Sequence, residues 1–185
     1  MTVETDRLLL RPFDESDWQD LHEYLSQPEV VRYEPYSIFT EKQSRKEAVR
    51  RASLPEFLAV CLKENGKLIG NVYFKEQEPA EFQTWELGYV LSAYFQGYGY
   101  AAEACRAILS HAFVFLRARR VVAMCNPLNS RSWRLLERLN FRREGHLRQN
   151  LYFKCDEQGN PIWCDTYEYA ILADDWKSNG LHNHA

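Results

Sequence analysis

The pattern of apolar and polar positions divides the chain into short strands and amphipathic helices. Residues 7–11 read RLLLR, an apolar run closed by Pro12, and predict a strand. After Asp14, the segment ESDWQDLHEYL puts Trp18, Leu21 and Leu25 on one helical face, with acids in the first turn where the helix dipole favours them. Gln27-Pro28 ends that helix, because a residue before proline is pushed toward extended geometry. Thr40-Glu41-Lys42-Gln43 has the form of a capping box, so a second helix is expected from Glu41 to about Ala52. Residues 57–62 are an apolar run, Asn65-Gly66 a hairpin turn, and residues 67–75 the partner strand. Residues 82–91 form a further strand whose alternation sets Trp85, Leu87 and Tyr89 on one face and Glu86, Gly88 and Val90 on the other.

A long helix is expected from residue 100 to about 117, with Ala101, Ala104, Cys105, Ile108, Leu109, Ala112 and Leu116 on its apolar stripe. Residues 120–125 read as a short buried strand, and Asn126-Pro127-Leu128-Asn129 as a loop. A helix over 130–139 follows, with Asn140 where a left-handed cap is expected. Residues 141–144 and 147–154 predict strands, 156–161 a polar turn, and 162–172 a long closing strand. The order β-α-α-β-β-β-α-β-α-β-β predicts a mixed sheet with helices on both faces. It is an α/β fold, expected as a single domain over 5–176 with 177–185 as a flexible tail.

Length and composition then remove whole classes. At 185 residues, 45% hydrophobic and 26% charged, the chain is that of an ordinary globular domain with a sizeable core. No apolar run reaches the roughly 18 residues of a membrane helix, and the opening MTVETDRLLLRPF lacks a basic-then-apolar leader, so a cytoplasmic protein without membrane partners is expected. The cysteines Cys61, Cys105, Cys125, Cys155 and Cys164 show no CxxC spacing and read as reduced, packed thiols without a metal.

The net charge of −3 conceals a strong asymmetry. Residues 1–31 hold eight acids against two arginines, a balance of −6, whereas 102–154 hold ten arginines and Lys154 against three glutamates, a balance of +8. Residues 155–185 return to −5. Two oppositely charged surfaces follow. Nucleic-acid binding is not indicated, since neither a basic total nor a recognition motif is present.

The most informative stretch is the turn Gln96-Gly97-Tyr98-Gly99-Tyr100-Ala101, where a strand ends, two glycines follow and a long helix begins. Glycines admit positive φ and close approach, and the amides at a helix start lack intrahelical partners and carry partial positive charge. That combination holds a phosphate. The spacing also fits the dinucleotide fingerprint, but the next strand ends at Asn126 without the required acid; nor does Gly-Lys-Ser/Thr occur as a P-loop requires.

This turn resembles the Q/R-x-x-G-x-G/A signature of GNAT-superfamily N-acetyltransferases. Asn129-Ser130-Arg131-Ser132 followed by Leu136-Glu137-Arg138-Leu139-Asn140-Phe141 is similar to N-x-x-S…L-E-K-x-G-F of the RimJ/RimL-like branch, the ribosomal-protein-alanine acetyltransferases. So are the opening Thr5-Asp6-Arg7-Leu8-Leu9-Leu10-Arg11 and the closing Trp163-Cys164-Asp165…Tyr169…Leu172…Asp175-Trp176. The resemblance implies a GNAT-like fold in which the strand over 85–91 splays at a bulge from its parallel neighbour over 120–125. It implies acetyl-coenzyme A as co-substrate, with the backbone of Tyr89, Val90 and Leu91 along the pantetheine arm. The pyrophosphate would fall to Gln96, Gly97, Tyr98, Gly99, Tyr100 and Ala101, and Asn129 would bond the amide-rich arm; capping the following helix is an equally compatible role for Asn129.

The implied chemistry is acetyl transfer to a primary amine by direct attack in a ternary complex. An ammonium must lose a proton, and the departing thiolate must gain one. Many members use a tyrosine as acid four residues before the G of G-F, but here that position is Leu136. Ser132, one turn earlier, is the substitute the branch suggests. Glu86 is the best-placed base, with Asp165 and Glu168 as rivals or amine anchors and an ordered water as the other route. The acceptor is a protein N-terminus or a small cationic amine, which the acidic regions would attract, and a homodimer is left open. Because Leu136 removes the usual acid, a non-catalytic acyl-coenzyme A sensor is the alternative.

Overall fold

The computed structural model describes residues 1–178. Eight strands form one mixed sheet in the order β1-β2-β3-β4-β5-β6-β8-β7. Their ranges are β1 Val3–Glu4, β2 Leu8–Pro12, β3 Phe57–Leu62, β4 Leu68–Glu76, β5 Thr84–Leu91, β6 Arg120–Cys125, β7 Arg142–Cys155 and β8 Pro161–Leu172. All neighbours are antiparallel except β5 and β6, which run parallel at the middle of the sheet.

Five helices cover the sheet: α1 Trp18–Leu25, α2 Glu41–Ala52, α3 Tyr100–Val114, α4 Ser130–Arg138 and α5 Ala173–Ser178. Two apolar clusters result, one on each face. The larger packs Ala104, Cys105, Ile108 and Leu109 of α3 and Leu135 and Leu136 of α4 against Val72, Leu87 and Val121 of the strands. The smaller packs Leu21 and Leu25 of α1 and Ala48 of α2 on Ala59, Cys61 and Leu68, with Val30 and Val31 of the intervening segment. Each fully buried leucine or isoleucine stabilises the fold by about 1.5–3 kcal/mol relative to exposure, so both clusters matter.

Local chemistry explains the boundaries. Thr40 caps α2 as expected: its hydroxyl accepts from Gln43 N–H while the Gln43 side chain accepts from Thr40 N–H. Asn140 has φ +64°, and Asn140 N–H and Phe141 N–H return to Glu137 O and Leu136 O, both at 3.0 Å. That double bond closes α4 as a Schellman motif and seats Phe141 in the core beside Leu136.

The expected order is present with additions and adjustments. A two-residue β1 pairs with β2 ahead of the first expected strand. Strand β5 begins at Thr84, because residues 80–82 form a 3-10 turn, and α3 ends at Val114. The two strands expected over 141–144 and 147–154 are one strand, β7, with register shifts between Arg143 and Gly145 and between Leu147 and Leu151. Those irregularities break the period-two pattern, which is why it read as two elements. Lys177 and Ser178 lie in α5 rather than in a tail; the rest of the expected tail, 179–185, lies outside the described residues.

Candidate active site

The seam between β5 and β6 is the natural opening. Only Thr84, Trp85 and Glu86 pair with β6, opposite Arg120, Val121 and Val122, while β5 continues to Leu91 and β6 to Cys125. On its other edge β5 stays in register with β4 from Trp85 to Leu91. Leu87–Leu91 therefore has one paired edge and one edge facing a wedge. The expected splay is present, but no bulge in β5 produces it; the pairing ends after Glu86. An unpaired strand edge accepts an extended, amide-bearing ligand as an added strand.

At the wide end of the wedge, β5 leads into the glycine turn. Gly97 and Gly99 have φ of +86° and +85°, conformations that a side chain would strain. A Cβ at Gly97 would meet nothing within 4 Å, so the turn opens onto free space. Gly99 is the N-cap of α3 and supplies no side-chain cap, and the amides of residues 97–102 have no acceptor among the described residues. These amides, at the positive end of a 15-residue helix, are suited to a pyrophosphate. The Gln96 side chain has a different duty: its Nε2 donates to Leu91 O at 3.1 Å and its Oε1 accepts from Arg131 Nη1 at 2.5 Å.

Arg7 and Glu103 brace this turn. Arg7 Nη2 lies 2.6 Å from Glu103 Oε2, Arg7 Nη1 donates to Tyr98 O at 3.1 Å, and the guanidinium lies 4.5 Å from the Tyr100 ring centre. Thr5 Oγ1 donates to the same glutamate at 2.5 Å. Arginine, threonine and a backbone donor hold the Glu103 carboxyl below its usual range, although burial opposes them. The opening Thr5…Arg7 motif thus fixes the α3 start, a duty that sequence reading left unassigned.

The α4 wall carries the first proposed catalytic group. Asn129 caps the helix, its Oδ1 accepting Ser132 N–H at 3.3 Å. Its Nδ2 has no acceptor among the described residues, so capping leaves a donor for a ligand. Ser132 Oγ lies 3.0 Å from the Tyr89 hydroxyl, which also reaches Ser132 O at 3.1 Å. Leu136, at the position where the resemblance implied a tyrosine acid, is 1% exposed and belongs to the core. Burial pushes the Cys125 thiol up to about 11 despite a bond to Ser132, so it stays a neutral thiol and is no ready nucleophile.

The opposite face of β5 carries Glu86. Trp85, Leu87 and Tyr89 pack toward α3 and α4, whereas Val90 packs in the α1/α2 cluster, and alternation puts Glu86 and Gly88 with Val90. Ser132 and Glu86 therefore approach the seam from opposite faces. Burial raises the Glu86 carboxyl above its usual range, opposed by a 2.9 Å bond from Gln77 Nε2 and by Lys75. The rival Asp165 is engaged elsewhere: it meets His146 Nε2 at 2.7 Å and Gln149 N–H at 2.8 Å, which lower its pKa and commit it to the β7–β8 hairpin.

Segment 26–39, which carried no motif, covers this second face. Tyr33 OH donates to Leu128 O at 3.2 Å, and Lys154 Nζ donates to Arg32 O at 3.3 Å, tying the segment to the β6–α4 loop and to β7. Residues Pro28, Val31, Arg32, Ser37 and Ile38 with Lys154 line a cavity of about 420 Å³. On α2, Arg51 is 2% exposed and donates to Glu47 at 2.7 Å, to Tyr24 OH at 2.9 Å and to Asn71 Oδ1 at 2.8 Å. Burial raises Glu34 to about 7, since its bond to Tyr36 and the attraction of Arg51 offset only part of the desolvation.

Comparison with known proteins agrees with this geometry. The family model for the acetyltransferase (GNAT) domain matches residues 7–142. The chain is 36% identical to an uncharacterized N-acetyltransferase, YnaD, of Bacillus subtilis, over 95% of this chain and 99% of that one. It is 26% identical to the [ribosomal protein uS5]-alanine N-acetyltransferase of Escherichia coli, over 93% and 91%. A GNAT-family acetyltransferase structure from Bacillus anthracis superimposes with a TM-score of 0.83 at 33% identity, over 94% of this chain and 99% of that one. With its glycine turn, its half-paired parallel seam and these relatives, the chain belongs to the GNAT family of N-acetyltransferases.

Proposed function

We propose that this protein transfers an acetyl group from acetyl-coenzyme A to a primary amine, either a protein N-terminus or a small cationic amine, in a ternary complex. The observation that carries the reading is the unpaired edge of Leu87–Leu91, bounded by free amides at one end and the Ser132 hydroxyl on its wall. The residues fit the co-substrate: Tyr89, Val90 and Leu91 offer a strand edge on which only Leu91 O is engaged, by Gln96 Nε2, residues 97–101 offer amides, and Asn129 offers a free side-chain donor. Acetyl-coenzyme A supplies the activated thioester.

Glu86, or a water it holds, takes the proton that the acceptor ammonium must lose before its nitrogen attacks the thioester carbon. Its raised pKa suits a base working near neutrality, since the proton it accepts is held more firmly. Ser132 donates its hydroxyl proton to the sulfur as the carbon–sulfur bond breaks, and regains one from solvent. Amide and thiol leave. The acidic side chains Glu34 and Glu86 on the acceptor face favour a cationic substrate. The uS5-alanine acetyltransferase among the relatives supports a protein N-terminus as the acceptor. The five unpaired cysteines suit a reducing, cytoplasmic setting.

The test is a mass-spectrometric screen of amines and N-terminal peptides with acetyl-coenzyme A, alongside calorimetric binding of coenzyme A. Acetylated product and loss of turnover in Ser132→Ala and Glu86→Gln are expected. Unchanged turnover in both variants would remove the residue assignments. Coenzyme A binding without any acetylated amine would favour a sensor, and absence of binding would overturn both readings.

A further inference from the structure

We propose that Tyr89 is a positioning residue for the transfer, its phenol fixing the Ser132 hydroxyl and bonding to Oγ as that oxygen gives up its proton. The proposal rests on the reading of Ser132 as the acid. Ser132 is gripped at every polar atom: its N–H goes to Asn129 O at 3.0 Å and Oδ1 at 3.3 Å, and the Tyr89 hydroxyl lies 3.1 Å from its carbonyl and 3.0 Å from Oγ. Serines in the first turns of helices often fold the hydroxyl back onto a carbonyl one turn earlier. Among the described residues Ser132 makes no such bond, so the Tyr89 oxygen 3.0 Å away sets the direction of its proton.

The contact also joins the two limbs of the wedge. Tyr89 stands on the splayed part of β5, while Ser132 stands on the helix that follows β6. The ring packs against the larger core, where phenylalanine would fit equally well, so the hydroxyl answers to its partner and not to packing. Burial drives the phenol well above its usual range, which leaves it a donor and never a base.

A serine hydroxyl is a weak acid, and negative charge builds on Oγ as its proton moves to sulfur. The phenol has one proton, shared between Ser132 O at 3.1 Å and Oγ at 3.0 Å, so a turn of the O–H from the carbonyl to Oγ meets that charge, and a hydrogen bond to an ionised oxygen is about twice as strong as a neutral one. Proton balance is preserved: the Ser132 proton goes to sulfur, Tyr89 keeps its own, and Ser132 is reprotonated by solvent.

The experiment is a double-mutant cycle of Tyr89→Phe and Ser132→Ala, reading thiol release from acetyl-coenzyme A. Hydroxylamine serves as a small nucleophile that needs no recognition, and the uncatalysed rate is subtracted. Tyr89→Phe is expected to lower kcat about tenfold or more with little change in the KM for acetyl-coenzyme A, and to lower nothing further in the Ser132→Ala background. Ser132→Thr, which keeps the oxygen, is expected to restore the dependence on Tyr89. Calorimetric binding of coenzyme A by each variant separates loss of fold from loss of chemistry. Equal losses in both backgrounds, or a loss confined to KM, would overturn the proposal. A slow Ser132→Ala with a fast Tyr89→Phe would overturn this proposal alone, whereas a fast Ser132→Ala would overturn the acid assignment with it.

Discussion

The two sides of the β5–β6 seam are built from different materials. On the α3/α4 side, the binding groups are chiefly main chain, the amides of the glycine turn and the free edge of β5, with the Asn129 side chain at the cap of α4 beside them. On the α1/α2 side they are long side chains, with Arg51, Glu47, Tyr24 and Asn71 joined in one buried network and Glu34 of segment 26–39 drawn toward Arg51. A main-chain site is fixed by φ values and helix ends and serves any ligand that carries the same phosphates and amides. A side-chain site can be changed one residue at a time. One half of the cleft is thus suited to an invariant co-substrate and the other to a particular acceptor.

The largest effect that would sharpen this comparison is Arg51→Ala. It leaves Glu47 and the Asn71 and Tyr24 oxygens without their buried cation, and breaking such a network by one partner costs about 3–5 kcal/mol. A thermal melt should register it as a loss of roughly 10 °C, at about 2–4 °C for each kcal/mol in a chain of this size. Coenzyme A affinity, measured by calorimetry on the folded fraction below the transition, should change little. An equal loss of affinity would mean that the two sides are not separable.

The complementary change is Gly97→Val. At φ +86° a β-branched residue is strained by about 1–3 kcal/mol, although no neighbour obstructs it. Relief of that strain moves the amides, so coenzyme A should bind roughly ten- to a hundredfold more weakly with the melting temperature lowered by only a few degrees. Arg7→Ala should act in the same direction but less. Its ion pair with Glu103 is partly solvated, side-chain exposures being 47% and 18%, and such pairs contribute about 1 kcal/mol at most, or about fivefold in affinity. Calorimetry on the two variants together tests the rank order.

The same division explains what was legible in the sequence. Gly97, Gly99 and Asn140 are residues that backbone geometry demands, so short motifs recorded them, and the strands and helices around them followed from periodicity. Arg7 stood within a recognised motif, yet its partner Glu103 is 96 residues away, and no local pattern announces such a pair. The Tyr89 hydroxyl was hidden because alternation assigned the residue to a packed face and gave its phenol no partner until α4 was folded against it. Glu34 and Arg51 were invisible for a stronger reason. Their burial depends on segment 26–39 closing over α2, an arrangement with neither period nor cap. Strand β7 shows the converse: the break read at 145–146 was real, but it is an irregularity within one strand and not the end of it.

The smallest predicted effect concerns Glu34 and separates the two sides by pH. Its carboxyl is raised from 4.5 to about 7, chiefly by burial. In the unfolded chain it ionises near its ordinary value, whereas in the folded chain it keeps its proton longer. The folded state therefore binds more protons between about pH 4.5 and 7, and the contribution of Glu34 to stability is full below 4.5 and lost as pH rises through 7. Lowered groups such as Glu47 and Glu103 run the other way, gaining stability with rising pH, so the wild-type melting curve alone mixes the two trends. The difference between wild type and Glu34→Gln isolates the term. Glu34 is only half-buried, so solvent screening trims the full shift, and the glutamine variant should gain on wild type by a few degrees as pH rises from 5 to 8, while coenzyme A affinity stays the same at both pH values. A constant offset across that range would mean that Glu34 is ionised throughout, held by Arg51 as a standing ion pair. The acceptor side would then carry a fixed charge in place of one that a bound cation draws out.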